Sequence, residues 1–325
     1  MSITKLGDIS LALAVWLVHD DYDYINEPNY ISATSLMKPI RHVVLPGRIP
    51  MEKRTPPDVE DFISRALGHS VHDSVEKAWK KGYKKNLAKL GYPESVINTV
   101  LINPTEEQLL IAPDCIPVYL EQRAIREFRG FKIGGKFDIV ADGIVQDYKT
   151  TSSYTWLYGT RDDEHALQGS LYKWLNPTKI TENFIRINYA FTDWQRMSAK
   201  SNPAYPQRRV LHKDIPLWST EKTEEWISNK LDEIMKWKQE PDEKLIPECT
   251  DEELWRSDPQ FKYYSDPNKT DGRATRRFDT LFDARAFMAE KGGKGVVKTI
   301  PGVPKRCDYC EAFEACSQKD RYQHD

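Results

Sequence analysis

The spacing of apolar positions changes from a helical period to a strand period after about residue 115. In the first part of the chain, residues 1–20 and residues 58 to about 89 have the apolar spacing of helices. We expect the second helix to be broken or bent near Gly82. The prolines at positions 39, 46, 50, 56 and 57 predict an ordered loop without helices or strands over residues 38–60.

Short β-rich runs separated by glycine occupy the middle of the chain. They cover Val118 to Ile125, Phe128 to Ile133, Lys136 to Ala141 and Ile144 to Lys149. Asp142-Gly143, between the last two runs, predicts a two-residue hairpin turn. A helix, two strands and a last helix are predicted over Asp163 to Leu175, Ile185 to Phe191, Val210 to Ile215 and Glu221 to Gln239. Helices before and after a small sheet predict a mixed α/β fold.

The pattern weakens after Pro241, where the chain is polar and holds four of its five cysteines. We therefore expect three regions: residues 1–60 packing on the core, an α/β core over 61–240, and a Cys-rich C-terminal region over 241–325. The apolar run from Ile9 to Val18 is shorter than the roughly 18 residues that span a bilayer. An acidic run follows from Asp20 with no small-residue cleavage site, so we expect a cytoplasmic protein with reduced or metal-bound thiols.

Composition excludes several classes of protein. Apolar residues make up 39% and charged residues 30%, which excludes a disordered tail, a collagen-like chain and a membrane protein. Lys and Arg total 47 against 49 Asp and Glu, so a globally basic nucleic-acid coat is also excluded. Any binding of nucleic acid needs locally concentrated positive charge.

Two carboxylates and a lysine converge on the predicted hairpin. Asp138 lies on one strand, and Asp147 and Lys149 share a face of the next because side chains alternate along a strand. Converging carboxylates bind Mg²⁺ or Mn²⁺, and such ions activate water and neutralise phosphodiester charge. An ordinary salt-bridged hairpin is the alternative, but a carboxylate beside buried strands needs a partner.

Four short motifs occur in order over residues 62–175. They are Gly68-His69-Ser70-Val71-His72, Gly135-Lys136-Phe137-Asp138, Asp147-Tyr148-Lys149-Thr150 and Gln168-Gly169-Ser170-Leu171-Tyr172. Together they resemble the G-x-x-x-H, G-x-x-D, D-Y-K-T and Q-x-x-x-Y motifs of the PD-(D/E)XK nucleases, and more narrowly of the RecB-like exonuclease branch. The resemblance implies a restriction-endonuclease-like core, in which helices flank a mixed central β-sheet, with a Cys-rich metal-binding C-terminal appendage.

The resemblance also implies a role for each matching residue. The metal, Mg²⁺ or Mn²⁺, would be held by His72, Asp138, Asp147 and the backbone carbonyl of Tyr148. Lys149 would be the catalytic lysine, and Gln168 and Tyr172 would shape the site and contact the DNA strand. His69 competes with His72 but fits the motif spacing less well. The family often places an acidic residue ahead of the first aspartate, and we weakly prefer Glu121 over Glu127.

Basic residues gather beside these motifs. Lys77, Lys80, Lys81, Lys84 and Lys85 form one stripe on a continuous helix, and a second cluster comprises Arg123, Arg126, Arg129, Lys132 and Lys136. We expect DNA contacts from Lys77, Lys81, Lys84, Arg126 and Tyr172, through phosphates and without sequence specificity. A solvated helix face is the alternative for the stripe.

The C-terminal cysteines have metal-ligand spacing. Cys307, Cys310 and Cys316 form Cys-x2-Cys-x5-Cys. RecB-like nucleases often place such a triplet on a 4Fe–4S cluster together with a cysteine near the N-terminus, but this chain has none before Cys115. We therefore prefer Cys249 as the fourth ligand and regard Cys115 as the spare. A 4Fe–4S cluster is favoured by the one-plus-three spacing, and Zn²⁺ is the alternative.

The resemblance implies a metal-dependent DNA exonuclease acting at ends or on single strands. It suggests a phage-type role in recombination, replication or repair, with a helicase or recombination protein as a partner. Two alternatives stay open. One is a catalytically weak nuclease-fold DNA-binding module, and the other is a CRISPR-associated end-processing nuclease.

Overall fold

A computed structural model describes residues 3–5, 7–50, 52, 54–159 and 161–322. The chain divides into two compact units. The first unit comprises Met1–Met37 and Thr55–Leu231, and the second comprises Lys38–Arg54 and Asp232–Asp325. This division differs from the three expected regions, because residues 38–54 belong with the C-terminal part of the chain rather than with the N-terminal helix.

The described residues form helices of very different lengths and mostly short strands. In chain order, the α-helices are α1 (Leu11–Val18), α2 (Ala33–Leu36), α3 (Ile40–Val44), α4 (Ile63–Lys89), α5 (Glu94–Thr99), α6 (Glu106–Ile111), α7 (Ser153–Tyr158), α8 (Asp162–Leu175), α9 (Arg196–Ser201), α10 (Thr220–Gln239) and α11 (Leu281–Glu290). The strands are β1 (Tyr30–Ser32), β2 (Val100–Ile102), β3 (Ile116–Phe128), β4 (Phe131–Ala141), β5 (Ile144–Thr151), β6 (Phe184–Phe191), β7 (Val210–Pro216), β8 (Gln260–Tyr264), β9 (Arg276–Phe278) and β10 (Val296–Ile300).

The first unit is built on a mixed seven-stranded sheet with the order β2-β3-β4-β5-β6-β7, in which β1 also pairs with β4. The neighbours β2–β3, β5–β6 and β1–β4 are parallel, and the other pairs are antiparallel. The centre of the sheet is apolar: Phe137, Val145 and Ile185 have no exposed surface. The predicted mixed α/β class with a central sheet flanked by helices is confirmed.

Helices α4 and α8 cover opposite faces of this sheet. Trp79 and Tyr83 of α4 pack with Tyr148 of β5 against a buried apolar cluster on β3 and β4. Val145 pairs with Ile185, and Ile185 contacts Gly169 of α8 so closely that a Cβ there would lie 2.8 Å from it. Because Val145 and Tyr148 have opposite parity on β5, the two helices lie on different faces.

Several local predictions about the first unit are wrong in detail. Helix α4 continues through Gly82 without a break. A helix is predicted over residues 1–20, but among the residues of that stretch that the structure describes, 3–5 and 7–20, it covers only Leu11–Val18. Two predicted strands merge into β4, because Gly134 and Gly135 continue the strand instead of interrupting it. A Cβ at Gly135 would lie 2.8 Å from Leu175 and 3.2 Å from Tyr172, both on α8, so a larger residue there would require these side chains to shift.

The second unit contains a three-stranded antiparallel sheet in the order β10-β8-β9, on which α11 packs. The ring of Phe287 packs against Tyr263 and Phe278, with centroid distances of 5.2 and 5.4 Å. The predicted loop over residues 38–60 instead contains helix α3 and a 3₁₀ turn, Pro46–Arg48. The cysteine-rich end is a series of short 3₁₀ turns, Lys305–Tyr309, Phe313–Ala315 and Ser317–Arg321.

Within the described part of the chain, every helix is either too short or too polar to cross a bilayer.

Candidate functional site

The predicted hairpin is present and brings the two aspartates together. Asp142 and Gly143 both have positive φ, 53° and 73°, as the tight turn between β4 and β5 requires. Register pairs Ile139 with Gln146, so that Asp138 and Asp147 occupy the next positions along the two strands. Asp147 is only 3% exposed, and its Oδ2 atom lies 2.7 Å from Lys149 Nζ. The candidate site therefore centres on a buried carboxylate paired with a lysine that is still partly open to solvent.

His72 reaches this centre from α4. Its Nδ1 atom lies 3.1 Å from Asp138 Oδ2, and its Nε2 atom lies 3.2 Å from the backbone carbonyl oxygen of Tyr148. Burial lowers the pKa of His72, but the contact with Asp138 and the charges of Asp138 and Asp147 outweigh it and raise the pKa overall. The imidazole thus lies beside the groups that the sequence motifs place together, namely the Asp138 and Asp147 carboxylates and the Tyr148 carbonyl.

Glu121 joins the group through an unusual backbone conformation. Regular pairing of β3 with β4 is interrupted at Glu121, between the Leu120–Ile139 and Gln122–Phe137 pairs. Its φ is 51°, a left-handed value that is rare for a residue with a long side chain. Ligand atoms of His72, Glu121 and Asp138 all lie within 4.8 Å of one another. Burial raises the pKa of Glu121, and Lys136 Nζ lies 2.8 Å from its carboxylate.

Helix α8 closes the other side of Asp147. Gln168 Nε2 donates to the hydroxyl of Tyr172 at 3.1 Å and, more weakly, to Asp147 Oδ1 at 3.4 Å. Tyr172 is 6% exposed, and burial raises the pKa of its hydroxyl well above the ordinary value. Gln168 and Tyr172 therefore lie in the site, but Tyr172 is enclosed rather than presented to a nucleic-acid strand.

The donor set suits a hard divalent cation. Among the described residues, no hydrogen bond of good geometry reaches the buried Oδ2 atoms of Asp138 and Asp147, although His72 and Lys149 lie at ion-pair distance from them. Burial raises the pKa of Asp147, against the opposing effect of Lys149. Carboxylate and carbonyl oxygens with one imidazole fit Mg²⁺ or Mn²⁺. The groups able to hold the ion are His72, Glu121, Asp138, Asp147 and the Tyr148 carbonyl.

Other residues considered from the sequence lie outside this group. His69 is partly exposed one helical turn before His72 and does not belong to the ligand-atom group. Glu127 is exposed near the end of β3 and pairs in register with Lys132. Lys77, Lys81 and Lys84 are at least partly exposed on α4.

The second basic cluster is largely neutralised within the first unit. Arg126 donates to Glu224 and to the carbonyl of Trp174, and Arg129 donates to the carbonyl of Ser228. Acidic partners also lie beside the other three members: Asp23 at Arg123, Glu27 at Lys132 and Glu121 at Lys136. The sequence pattern places these cations near the sheet but does not indicate their partners.

A buried histidine on α8 was not anticipated. His165, one turn before Gln168, is 3% exposed, and neither ring nitrogen has a hydrogen-bond partner among the described residues. Burial, with the charges of Lys149 and Arg161, lowers its pKa to about 4, so the ring is neutral at physiological pH. A histidine in an apolar helix pattern carries no signal that separates it from an ordinary core residue.

Four cysteines of the second unit surround one cavity. Cys249, Cys307, Cys310 and Cys316 line it together with Arg41 and His42. Burial raises the pKa of the Cys249 thiol to about 12 and that of Cys307 to about 11. Cys115 belongs to the first unit, next to β3.

Two side chains hold the cysteine segments in place. Arg41, 1% exposed, donates to Cys316 Sγ at 3.3 Å, to the carbonyls of Ile246 and Pro247, and to Glu243. Gln318 bonds both the N–H and the carbonyl of Cys249, at 2.9 and 2.8 Å. His42 Nε2 lies 3.4 Å from Cys310 Sγ. No local pattern indicates Arg41 or His42, because they lie over 200 positions from the residues they contact.

Comparison with known proteins adds little to this geometry. No family model matches the chain, and no curated protein matches it. Among solved structures, the crystal structure of SSO0001 aligns over 64% of this chain and 78% of its own, with 16% identity and a TM-score of 0.38. A likeness of this size carries no argument about function, so the site is interpreted from its own residues.

Proposed function

We propose that this protein is a metal-dependent DNA exonuclease of the PD-(D/E)XK type, which hydrolyses phosphodiester bonds at DNA ends or in single strands. One observation carries the proposal. The buried carboxylate of Asp147, paired with the partly exposed Lys149, lies beside Asp138, His72 and Glu121, and the fold supplies these groups from four separate elements. An ordinary salt-bridged hairpin needs neither the histidine nor the third carboxylate.

The residues have distinct roles in this proposal. Asp138, Asp147 and His72, with the Tyr148 carbonyl, would hold Mg²⁺ or Mn²⁺, and Glu121 would complete the set. When bound, the ion activates water and neutralises charge on the phosphodiester. Burial lowers the pKa of Lys149, but the charge and hydrogen bond of Asp147 outweigh this effect and raise the pKa overall. The side chain therefore stays an ammonium at neutral pH. Lys149 therefore donates hydrogen bonds and positive charge to the phosphate and does not act as a base.

The test is cleavage of end-labelled linear DNA and closed circular DNA with added Mg²⁺ or Mn²⁺. The wild type should degrade linear DNA and spare closed circles. Lys149→Ala should lose about 10²-fold or more of the rate, as expected for removing one charge-stabilising donor, and should still bind DNA. The matched control is Lys298→Ala, which removes an exposed lysine on β10.

Each outcome is decisive. Full activity in Lys149→Ala contradicts the assigned role, and digestion of closed circles indicates an endonuclease. Binding without cleavage by the wild type would leave the nuclease-fold DNA-binding module. A role in phage recombination, replication or repair rests on the motif resemblance.

We also propose that the four-cysteine cavity holds a 4Fe–4S cluster. The four thiols line one cavity of the second unit, which is the number that a single cluster needs. Their order along the chain, one cysteine followed by a closely spaced triplet, fits an iron–sulfur cluster, whereas zinc sites more often use paired ligands.

Anaerobic purification with a visible spectrum and metal analysis tests this assignment. The wild type should be brown, with a broad absorption that Cys310→Ser abolishes. Cys115→Ser is the matched control and should keep the colour, because Cys115 lies outside the cavity. A colourless protein that contains stoichiometric zinc would contradict the cluster and indicate a zinc site instead.

A further inference from the structure

A short acidic and aromatic segment, residues 19–24, crosses the first unit beside the candidate metal centre. It forms the first part of the connection between α1 and β1, has no regular secondary structure, and is exposed along its length. Its sequence, His-Asp-Asp-Tyr-Asp-Tyr, concentrates negative charge and two aromatic rings in six residues. We call it the acidic–aromatic segment.

The segment is held by cations on both sides. Asp20 Oδ2 lies 2.8 Å from Arg65 Nη1, and Asp23 Oδ1 lies 2.6 Å from Arg123 Nη2. The ring of Tyr22 makes two further cation contacts, with Arg123 Cζ and Lys136 Nζ each 5.3 Å from its centroid. These contacts fix an otherwise exposed stretch of chain against Arg65, Arg123 and Lys136.

The three cations adjoin the catalytic group. Lys136 also contacts Glu121, a member of the ligand-atom group, and Arg65 lies on α4 two helical turns before His72. Lys136 therefore links Tyr22 of the acidic–aromatic segment to Glu121 of the candidate metal centre. A strand of nucleic acid entering the site along this face would meet the acidic–aromatic segment.

The two arginines have unused hydrogen-bonding capacity. Arg65 Nε and Arg123 Nε are enclosed and have no hydrogen-bond partner within the described part of the chain, although each guanidinium pairs with an aspartate. A guanidinium offers a planar fork of donors that matches two oxygens of a phosphate. Each aspartate therefore accepts from only some of the guanidinium N–H donors, whereas a phosphate could accept from more of them.

We propose that Arg65, Arg123 and Lys136 form a binding site for the phosphates of a single DNA strand, and that the acidic–aromatic segment occupies this site until DNA displaces it. Asp20 and Asp23 stand where phosphates would bind, and the Tyr22 ring takes a place suited to a base stacked on cations. The pairs are partly exposed, with Asp23 74% exposed, and a polyanion that offers several phosphates can compete with two separate carboxylates for the same guanidinium groups. The inference rests on the proposed nuclease function and identifies where its substrate strand lies.

Binding of a fluorescent single-stranded oligonucleotide tests the proposal by anisotropy. The full-length protein carries Lys149→Ala and no divalent metal is added, so that the strand stays intact. Asp20→Asn with Asp23→Asn keeps the side-chain shapes and removes the competing charges, and should tighten binding about threefold or more. Asp21→Asn is the matched control, since Asp21 pairs with His19, at 3.9 Å, rather than with one of the three cations, and should bind as the parent does.

Removing the cations should have the opposite effect. Arg65→Gln with Arg123→Gln should weaken binding and lower the slope of log affinity against log salt by about 0.7 for each phosphate that the variant no longer neutralises. In that background, the two Asp→Asn changes should no longer tighten binding, because the pairs they break are already gone. Arg65→Lys with Arg123→Lys provides charge-conserving variants that should bind more tightly than the glutamine pair, and thermal melting checks that each variant folds.

Hydrogen exchange shows whether DNA displaces the acidic–aromatic segment or leaves it in place as part of the binding site. With saturating oligonucleotide, residues 19–24 should exchange faster than in the free protein. Slower exchange there, equal affinities for the Asp20/Asp23 and Asp21 variants, or an unchanged salt slope in the glutamine variants would overturn the inference. If binding behaves as expected but the wild type cleaves no DNA, the nuclease proposal fails alone. If no version binds the oligonucleotide, both proposals fail.

Discussion

Glu121 joins a strained backbone to a carboxylate in the candidate site. Its φ of 51° lies in the left-handed region, which costs an ordinary residue roughly 1–2 kcal/mol. The conformation interrupts the alternation of β3. Leu120 packs under α4, and Glu121 still reaches His72 on that same helix. Strain of this kind persists where the surrounding structure enforces it and is often found at functional sites.

Replacing Glu121 by glycine or alanine separates its two contributions. Both variants lose the carboxylate, so both should need more Mn²⁺ or Mg²⁺ for half-maximal cleavage. The free energy of unfolding of Glu121→Gly should exceed that of Glu121→Ala by about 1 kcal/mol, because glycine adopts positive φ without strain. Equal stability of the two variants, measured by urea titration, would contradict the left-handed conformation, and unchanged metal dependence would remove Glu121 from the ligand set.

At the scale of elements, local signals predicted the centre of the sheet well. The Asp142-Gly143 turn, the stop of α8 before Asn176 and the strand over Phe184–Phe191 each follow from a few adjacent residues. The spacing of Asp138, Asp147 and Lys149 then predicts their convergence, because a hairpin fixes its own register. The central part of the site was therefore accessible from the sequence.

Elements that depend on distant residues were not accessible. Gly134 and Gly135 indicate a break by composition, yet they continue β4 because they pair with β3, and Tyr30 and Leu175 occupy the space that larger side chains would take. Strand β1 is three residues long and exists through pairing with β4, about 100 positions later. The left-handed Glu121 and the arginines under the acidic–aromatic segment are likewise set by tertiary contacts, which no window of sequence contains.

At the scale of the whole molecule, the two units differ in how much regular secondary structure supports them. The first unit has a seven-stranded sheet covered by helices on both faces. The second has a three-stranded sheet, and its cysteine-bearing end is built from 3₁₀ turns of three to five residues. Such turns bury little apolar surface of their own, and the bonds from Arg41 and Gln318 hold them; the proposed metal group would add to that stability.

Loss of that metal group should therefore loosen the second unit selectively. In Cys310→Ser, amides of residues 246–250 and 305–322 should exchange at least about tenfold faster, which corresponds to about 1.4 kcal/mol of local stability. Amides of β4 and β5 should keep their wild-type rates, because their hydrogen bonds lie within the first unit's sheet. Cys115→Ser, in the first unit, should leave both cysteine-bearing segments unchanged.

Hydrogen exchange with mass spectrometry makes the comparison. Equal exchange of these segments in wild type and Cys310→Ser would contradict the prediction, and would show that side chains such as Arg41 and Gln318 hold the cysteine segments without a metal.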